Sequence, residues 1–179
     1  GISVHVVRES ASGREPKTWV FLLVGALKGD KTELVVQKAT ELGVSRIGVF
    51  SSRYCSAYMN GNKLERLNRV AREAAKQCLR ASVPRVEYYE TLEEALRAGA
   101  ECVTRLFACE FISETEKVID TGATVCAVVG SEGGFAEEEY ALAQRLGYCG
   151  VSLGKRILRA ETAAIALVSV IMHEAGELG

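Results

Sequence analysis

The sequence predicts an α/β domain built around a mostly parallel sheet, and three observations carry that prediction. Short apolar runs of strand type alternate with amphipathic helical patterns along the chain. The strand runs are apolar at consecutive positions, as in Trp19–Gly25 (WVFLLVG) and Thr124–Val129 (TVCAVV), the pattern of strands covered on both faces. Cap and turn residues stand where one pattern gives way to the next.

Taken in order, residues 2–7 (ISVHVV) read as a strand whose partners are absent, and Trp19–Gly25 as a buried strand. Asp30 and Glu33 have capping-box spacing, with Leu34, Val35, Ala39 and Leu42 following on one helical face. Gly43 stops that helix in the left-handed position. Residues 47–50 form the next strand, residues 62–81 a long helix with Pro84 just beyond it, and residues 85–88 a strand. Thr91 and Glu94 cap a short helix ended by Gly99, and residues 102–109 and Thr124–Val129 are two further strands. Glu137, Glu138 and Glu139 suit the first turn of a helix that Gly147 ends, as the helix dipole favours. Residues 150–153 are a last short strand before a final helix over 161–174.

The chain has 179 residues, of which 48% are hydrophobic and 25% charged. That much apolar surface offsets ordering entropy, which excludes intrinsic disorder, and the length suits one domain. With 22 Lys+Arg against 23 Asp+Glu, a strongly basic, histone-like binder is excluded too. The near-neutral sum hides a partition. Residues 53–85 carry eight basic and two acidic side chains, a net +6; residues 87–139 carry three and thirteen, a net −10; residues 145–159 carry four and none, a net +4. The six cysteines contain no C-x-x-C pair and lie far from His5 and His173, so reduced thiols are expected and a metal site is not. The most apolar stretch, residues 163–172, is too short to span a bilayer, and a cytoplasmic location without membrane association is expected.

Three segments could carry chemistry. Gly130-Ser131-Glu132-Gly133-Gly134 follows a strand and precedes a helix, where open α/β sheets bind ligands. It is neither G-x-x-x-x-G-K-[ST] nor G-x-G-x-x-G, and Glu132 inside it would repel phosphate but suit a cation; a plain tight turn is the competing reading. Leu153-Gly154-Lys155-Arg156-Ile157-Leu158-Arg159-Ala160-Glu161-Thr162 again joins a strand end to a helix. It reads either as a solvated basic loop or as a site, the apolar Ile157-Leu158 pair favouring a site. On the long helix, Arg66, Arg69, Arg72, Lys76 and Arg80 fall within an arc of roughly 120°, opposite Leu64, Leu67, Val70, Ala71, Ala74 and Cys78. A solvated face would ordinarily mix charge signs, whereas five cations on one stripe suit phosphates.

These motifs resemble those of the SPOUT-superfamily enzymes that methylate N3 of a uridine in 16S ribosomal RNA. LGKRILRAET resembles that family's C-terminal signature, GSEGGF its GPEGG(F/L) loop, EAAKQCLR its E-A-x-x-Q-x-x-R segment and LVVQKATELGVSRI its Q-K-x-x-E-L-G-V segment. SSRYC stands at its Ser-Glu-Arg-x stretch. The resemblance runs collinearly over residues 28–179. It implies a SPOUT-type trefoil-knotted α/β fold, S-adenosylmethionine in the knot, a homodimer, and small-subunit RNA as substrate. It also implies that residues 1–18 are the remnant of an N-terminal β-barrel RNA-binding domain and its linker, with residues 19–179 the catalytic domain. Two departures stand out: Ser131 replaces the family's proline, which should loosen the loop, and Ser52 replaces the glutamate of Ser-Glu-Arg.

The resemblance implies that Val129, Gly130, Ser131, Gly133, Gly134, Leu153, Gly154, Ile157, Leu158 and Thr162 hold the cofactor. Arg159 is expected to stabilise a uracil anion, and Glu132 and Glu161 are candidate carboxylates for the sulfonium or for the proton. Arg53, Arg66, Arg69, Arg72, Lys76, Gln77 and Arg80 are expected to meet RNA. Two other readings compete on the residues alone: an RNA-binding module without catalysis, and a nucleotide-binding metabolic enzyme, which the missing phosphate loops disfavour.

Overall fold

The structure, a computed structural model, describes residues 3, 5, 13–110, 112 and 124–179. Six strands, β1 (Trp19–Gly25), β2 (Arg46–Phe50), β3 (Arg85–Tyr89), β4 (Thr104–Ala108), β5 (Thr124–Val129) and β6 (Cys149–Val151), form one sheet in the order β3-β2-β1-β5-β4-β6. Every strand pairing is parallel. Among the described residues, α1 (Lys31–Glu41), α2 (Gly61–Gln77), α3 (Leu92–Ala98) and α4 (Glu137–Arg145) lie between successive strands, and α5 (Ala160–Glu174) follows β6. The strand expected over residues 2–7 lies outside the described residues, apart from Ser3 and His5.

The apolar runs are explained by burial on both faces. On β1, Val20, Leu22 and Val24 pack with Val35 and Val36 of α1 and Leu167 and Ile171 of α5, whereas Phe21 and Leu23 pack with Leu96 of α3 and Ala143 of α4. The α1/α2/α5 layer covers one face of the sheet and α3/α4 the other, so alternate side chains of one strand serve two cores. All six cysteines are free. Cys102 and Cys126 are buried, while the other four are half-buried, so the expected thiol burial is complete only at those two.

The helix boundaries follow local chemistry, with two differences from expectation. Gly43 adopts φ +99° just past α1 and Gly147 φ +79° just past α4, as helix stops do. Thr91 accepts the Glu94 N–H at 3.2 Å. Asp30, by contrast, occupies the α1 N-cap position without any side-chain cap bond, and Glu33 is engaged in an ion pair with Arg66 at 2.9 Å. The α2 cap is instead Asn60, which accepts from Lys63 N at 2.9 Å. Asn60→Ala should therefore cost about 1 kcal/mol and Asp30→Ala less than about 0.5 kcal/mol. Urea midpoints of the two variants check this, and equal losses would refute it.

The second difference is where α2 stops. It ends at Gln77, four residues before the expected boundary, because Leu79 takes φ +61° and turns the chain back. Residues 15–18, expected to belong to a linker, are fastened to the domain. Glu15 accepts from Ala81 N and Ser82 N at 2.8 and 3.0 Å, and Glu177 accepts from Lys17 N at 2.6 Å.

Candidate cofactor and RNA site

Three loops leave the carboxyl ends of β5, β4 and β6, which are neighbours in the sheet, and enclose a cavity of about 480 Å³. The β5 loop supplies Val129, Gly130, Ser131, Glu132 and Gly134, and the β6 loop supplies Leu153, Gly154, Ile157, Leu158 and Arg159. The third wall, Ala108, Cys109 and Glu110 with Ile112, has no counterpart among the expected site residues. The general rule that parallel sheets bind ligands beyond their carboxyl ends could have pointed to it. The adjacency of β4 to both β5 and β6, however, is a property of the sheet order and not of the sequence.

The Gly130–Gly134 segment is both a tight turn and a cavity wall. Gly134 N donates to Ser131 O at 3.0 Å, with Gly134 at φ +67°. A Cβ on Gly25 would lie 2.5 Å from Ser131 N, so β1 packs directly beneath the turn. Gly133 does not line the cavity; a Cβ there would meet Tyr54 Cβ at 2.5 Å, so its glycine serves the close approach of the β2–α2 loop. Thr162 is exposed on α5 and likewise lies outside the cavity lining. Gly154, at φ +97° with nothing near its Cβ position, leaves an open backbone edge to the cavity.

Charge at the cavity is organised by Lys31, which sequence reasoning passed over. Its Nζ lies 3.4 Å from Glu132 Oε1 and 3.7 Å from Glu161 Oε2, drawing together carboxylates from the β5 loop and the first turn of α5. Glu132 also accepts from Lys28 N at 3.0 Å. Burial by itself would raise the Glu132 pKa, but the Lys28 N–H, its own N–H and Lys31 more than offset this and hold it below the ordinary carboxylate range. Glu132 is thus an ionised, well-engaged group, poorly suited to accept a proton. Glu161 differs: its Oε2 is buried without a hydrogen bond, as is Ser131 Oγ on the β5 loop. Arg159, at the N-cap of α5, is exposed, and its side chain makes no hydrogen bond or ion pair among the described residues.

The α2 stripe is only partly as expected. Arg69 and Arg72 are exposed without ion-pair partners among the described residues, Arg66 pairs with Glu33, and Lys76 pairs with Glu73 at 3.0 Å. Gln77 closes the exposed face. Arg80 is not part of it, because the chain turns after Gln77. Its side chain is 5% exposed, pairs with Glu15 at 2.9 Å and donates to the Thr40 and Val44 carbonyls. It is a structural residue of the interior. Arg53 is exposed but engaged, its guanidinium on Glu138 at 3.3 Å and its backbone N–H on Glu139 at 3.0 Å.

A parallel α/β domain with a glycine-lined cavity over three adjacent strand ends, and cations at its mouth, defines a small-molecule-binding enzyme domain. The chain belongs to the RNA methyltransferase domain family, whose sequence pattern matches residues 14–172. It is 31% identical over 168 residues to the ribosomal RNA small subunit methyltransferase E of Mesomycoplasma hyopneumoniae, covering 92% of this chain and 74% of that one. Among solved structures it is similar to the ribosomal RNA small subunit methyltransferase E of Neisseria gonorrhoeae bound to S-adenosyl methionine, with TM-score 0.81 and 27% identity over 92% of this chain and 69% of that one. The A. aeolicus TrmH/SpoU tRNA modifying enzyme shares the fold at TM-score 0.55 and 16% identity, over 90% of this chain and 75% of that one. The fold is therefore the SPOUT type expected from the sequence. Among the described residues there is no group of three metal-ligating side chains, and no helix is long and apolar enough to cross a membrane.

Proposed function

We propose that this chain transfers a methyl group from S-adenosylmethionine to N3 of a uridine in 16S ribosomal RNA. The observation that carries the reading is the convergence of the β4, β5 and β6 loops on one cavity with an unpaired arginine at its mouth. The names of the relatives and the S-adenosyl methionine bound to the Neisseria protein support it.

The residues present fit that cofactor. The cavity volume of about 480 Å³ suits a ligand of nucleoside size, and Gly154 leaves backbone open for close approach. Ser131 Oγ and Glu161 Oε2 are buried polar atoms still wanting partners. Leu153, Ile157 and Leu158 would enclose the apolar faces, with Gly130 and Gly134 offering backbone groups. The carboxylates of Glu132, Glu161 and Glu110 would favour a cationic sulfonium. When bound, the cofactor supplies an electrophilic methyl group.

This chain's own residues would do the rest. Uracil N3 must lose its proton, and Arg159 would stabilise the negative charge that develops on the uracil carbonyl oxygens. Glu161, whose Oε2 makes no hydrogen bond and faces Lys31 Nζ at 3.7 Å, would take that proton in preference to Glu132, which accepts from Lys28 N and Lys31. Lys31 would keep both carboxylates in place. Arg53, Arg66, Arg69, Arg72, Lys76 and Gln77 would take the RNA backbone, and a paired target base would have to be turned outward to present N3.

Two features support a homodimer: Ile157 is 87% exposed on the cavity loop, and Leu34 of α1 and Val170 of α5 are exposed apolar side chains on packed helices. Sedimentation at micromolar concentration tests this, and a strict monomer counts against it. The same reading has the two glycine loops knotted around one ligand, and a cytoplasmic location. Calorimetry should show saturable S-adenosylmethionine binding that S-adenosylhomocysteine competes and ATP or NAD does not. Competition by ATP or NAD alone would overturn the reading in favour of a nucleotide enzyme.

A further inference from the structure

We infer that the segment between β2 and α2 is a base-stacking track, in which Tyr54 and Tyr58 take unpaired bases flanking the target nucleotide. The inference rests on the RNA-modifying reading of the site and adds the element that would distinguish single-stranded from paired RNA.

The argument begins with burial. Residues 54–60 form neither helix nor strand, yet their exposure alternates as in an extended chain. Cys55, Ala57 and Met59 lie against the α1/α2/α5 core, and Cys55 Sγ donates to Ala26 O at 3.1 Å. The intervening Tyr54 and Tyr58 face solvent, 49% and 74% exposed. Neither phenol has a hydrogen bond among the described residues. Tyr54 is seated on Gly133 with the Arg53 guanidinium 5.8 Å from its ring centroid, whereas the outward display of Tyr58 from a segment whose alternate positions are anchored in the core is not accounted for by packing.

Rigidity comes next. Tyr54 lies over Gly133 so closely that a Cβ there would clash. Tyr58 O accepts from Lys63 Nζ at 2.7 Å, and Asn60 begins α2 as its cap. The backbone beneath both rings is thus fixed at each end, which keeps the ordering cost of binding low. Four residues of extended chain span about 13 Å, so Tyr54 and Tyr58 have room to take separate bases.

Location and charge then select the occupant. One end of the segment touches the β5 cavity loop through Gly133, and the other runs into α2 with Lys63, Arg66, Arg69 and Arg72. Aromatic faces bordered by cations match a polyanion with exposed π faces, which is single-stranded nucleic acid. A duplex hides its base faces in the stack and would gain only from the cations.

The test measures binding of a labelled, unstructured RNA oligonucleotide and of a duplex of equal length to the wild-type chain and to Tyr54→Ala, Tyr58→Ala and Tyr58→Phe. Each alanine variant should weaken single-strand binding about tenfold without altering the salt slope, because stacking releases no counterions. Tyr58→Phe should stay within about twofold of wild type, since the ring is what binds. Duplex affinity should not change. Wild-type affinity in both alanine variants, a loss in Tyr58→Phe equal to that in Tyr58→Ala, or an equal loss on duplex would each overturn the inference. Calorimetric titration with S-adenosylmethionine separates the two readings. Cofactor binding without tyrosine-dependent RNA binding refutes the stacking track alone, and tyrosine-dependent RNA binding without cofactor binding refutes the methyltransferase reading alone.

Discussion

Arg159→Ala should lower kcat/KM for methyl transfer to small-subunit RNA by a factor of about 10²–10³, with Tm unchanged. The two halves of that expectation have separate physical grounds. Arg159 caps α5 only through its backbone, whose carbonyl accepts from Ala163 N at 2.8 Å, and its side chain makes no cap hydrogen bond. It is exposed, so truncating it removes no side-chain hydrogen bond or ion pair among the described residues. Arg159 nevertheless lines the cavity, where a developing uracil anion would need a positive charge in a partly dehydrated setting. Arg159→Lys should recover part of the rate, because charge is kept while the planar fork is lost. Undiminished turnover in Arg159→Ala, measured beside normal S-adenosylmethionine binding, would sink the role.

Arg80→Ala should have the opposite signature, a large loss of stability with no change in the salt dependence of RNA binding. Its side chain is 5% exposed and Glu15 is 26% exposed, so the pair is largely withdrawn from water. Removing the guanidinium leaves the Glu15 carboxylate with only the Ala81 and Ser82 N–H groups and takes a donor from the Thr40 and Val44 carbonyls. The partial exposure of Glu15 places the cost near the lower end for broken buried pairs, about 3 kcal/mol, which at this chain length lowers Tm by roughly 10 °C. Arg69→Ala is the contrast. Exposed on α2, it should shift stability by less than about 0.5 kcal/mol yet reduce the RNA salt slope by about one. Thermal melts and salt titrations of the two variants decide the matter; similar melting temperatures would show that Arg80 does not hold the Glu15 segment.

The contrast between Arg69 and Arg80 also shows how far the sequence could be read. Both sit on one 3.6-residue stripe in the sequence, and nothing local separates them until Leu79 adopts φ +61° and ends α2. A left-handed leucine is disfavoured by its own sterics, so propensity could not have placed the break there. The Asp30 cap failed for a related reason. The spacing was right, but Glu33 found a partner on α2, and no side-chain cap formed.

By itself, the sequence determined what depends on near neighbours and on burial. The both-face apolar runs set the parallel α/β class, the glycines after α1 and α4 set two helix ends, and the loops after β5 and β6 stood out as candidates, both of which line the cavity. Only the tertiary structure decided which of these residues meet. The β4 wall of the cavity, the Lys31 link between Glu132 and Glu161, the packing of Tyr54 on Gly133, and the burial of Arg80 all join parts of the chain that the sequence holds far apart. Periodicity reports the environment each side chain needs, whereas the sheet order β3-β2-β1-β5-β4-β6 selects the partners that supply it.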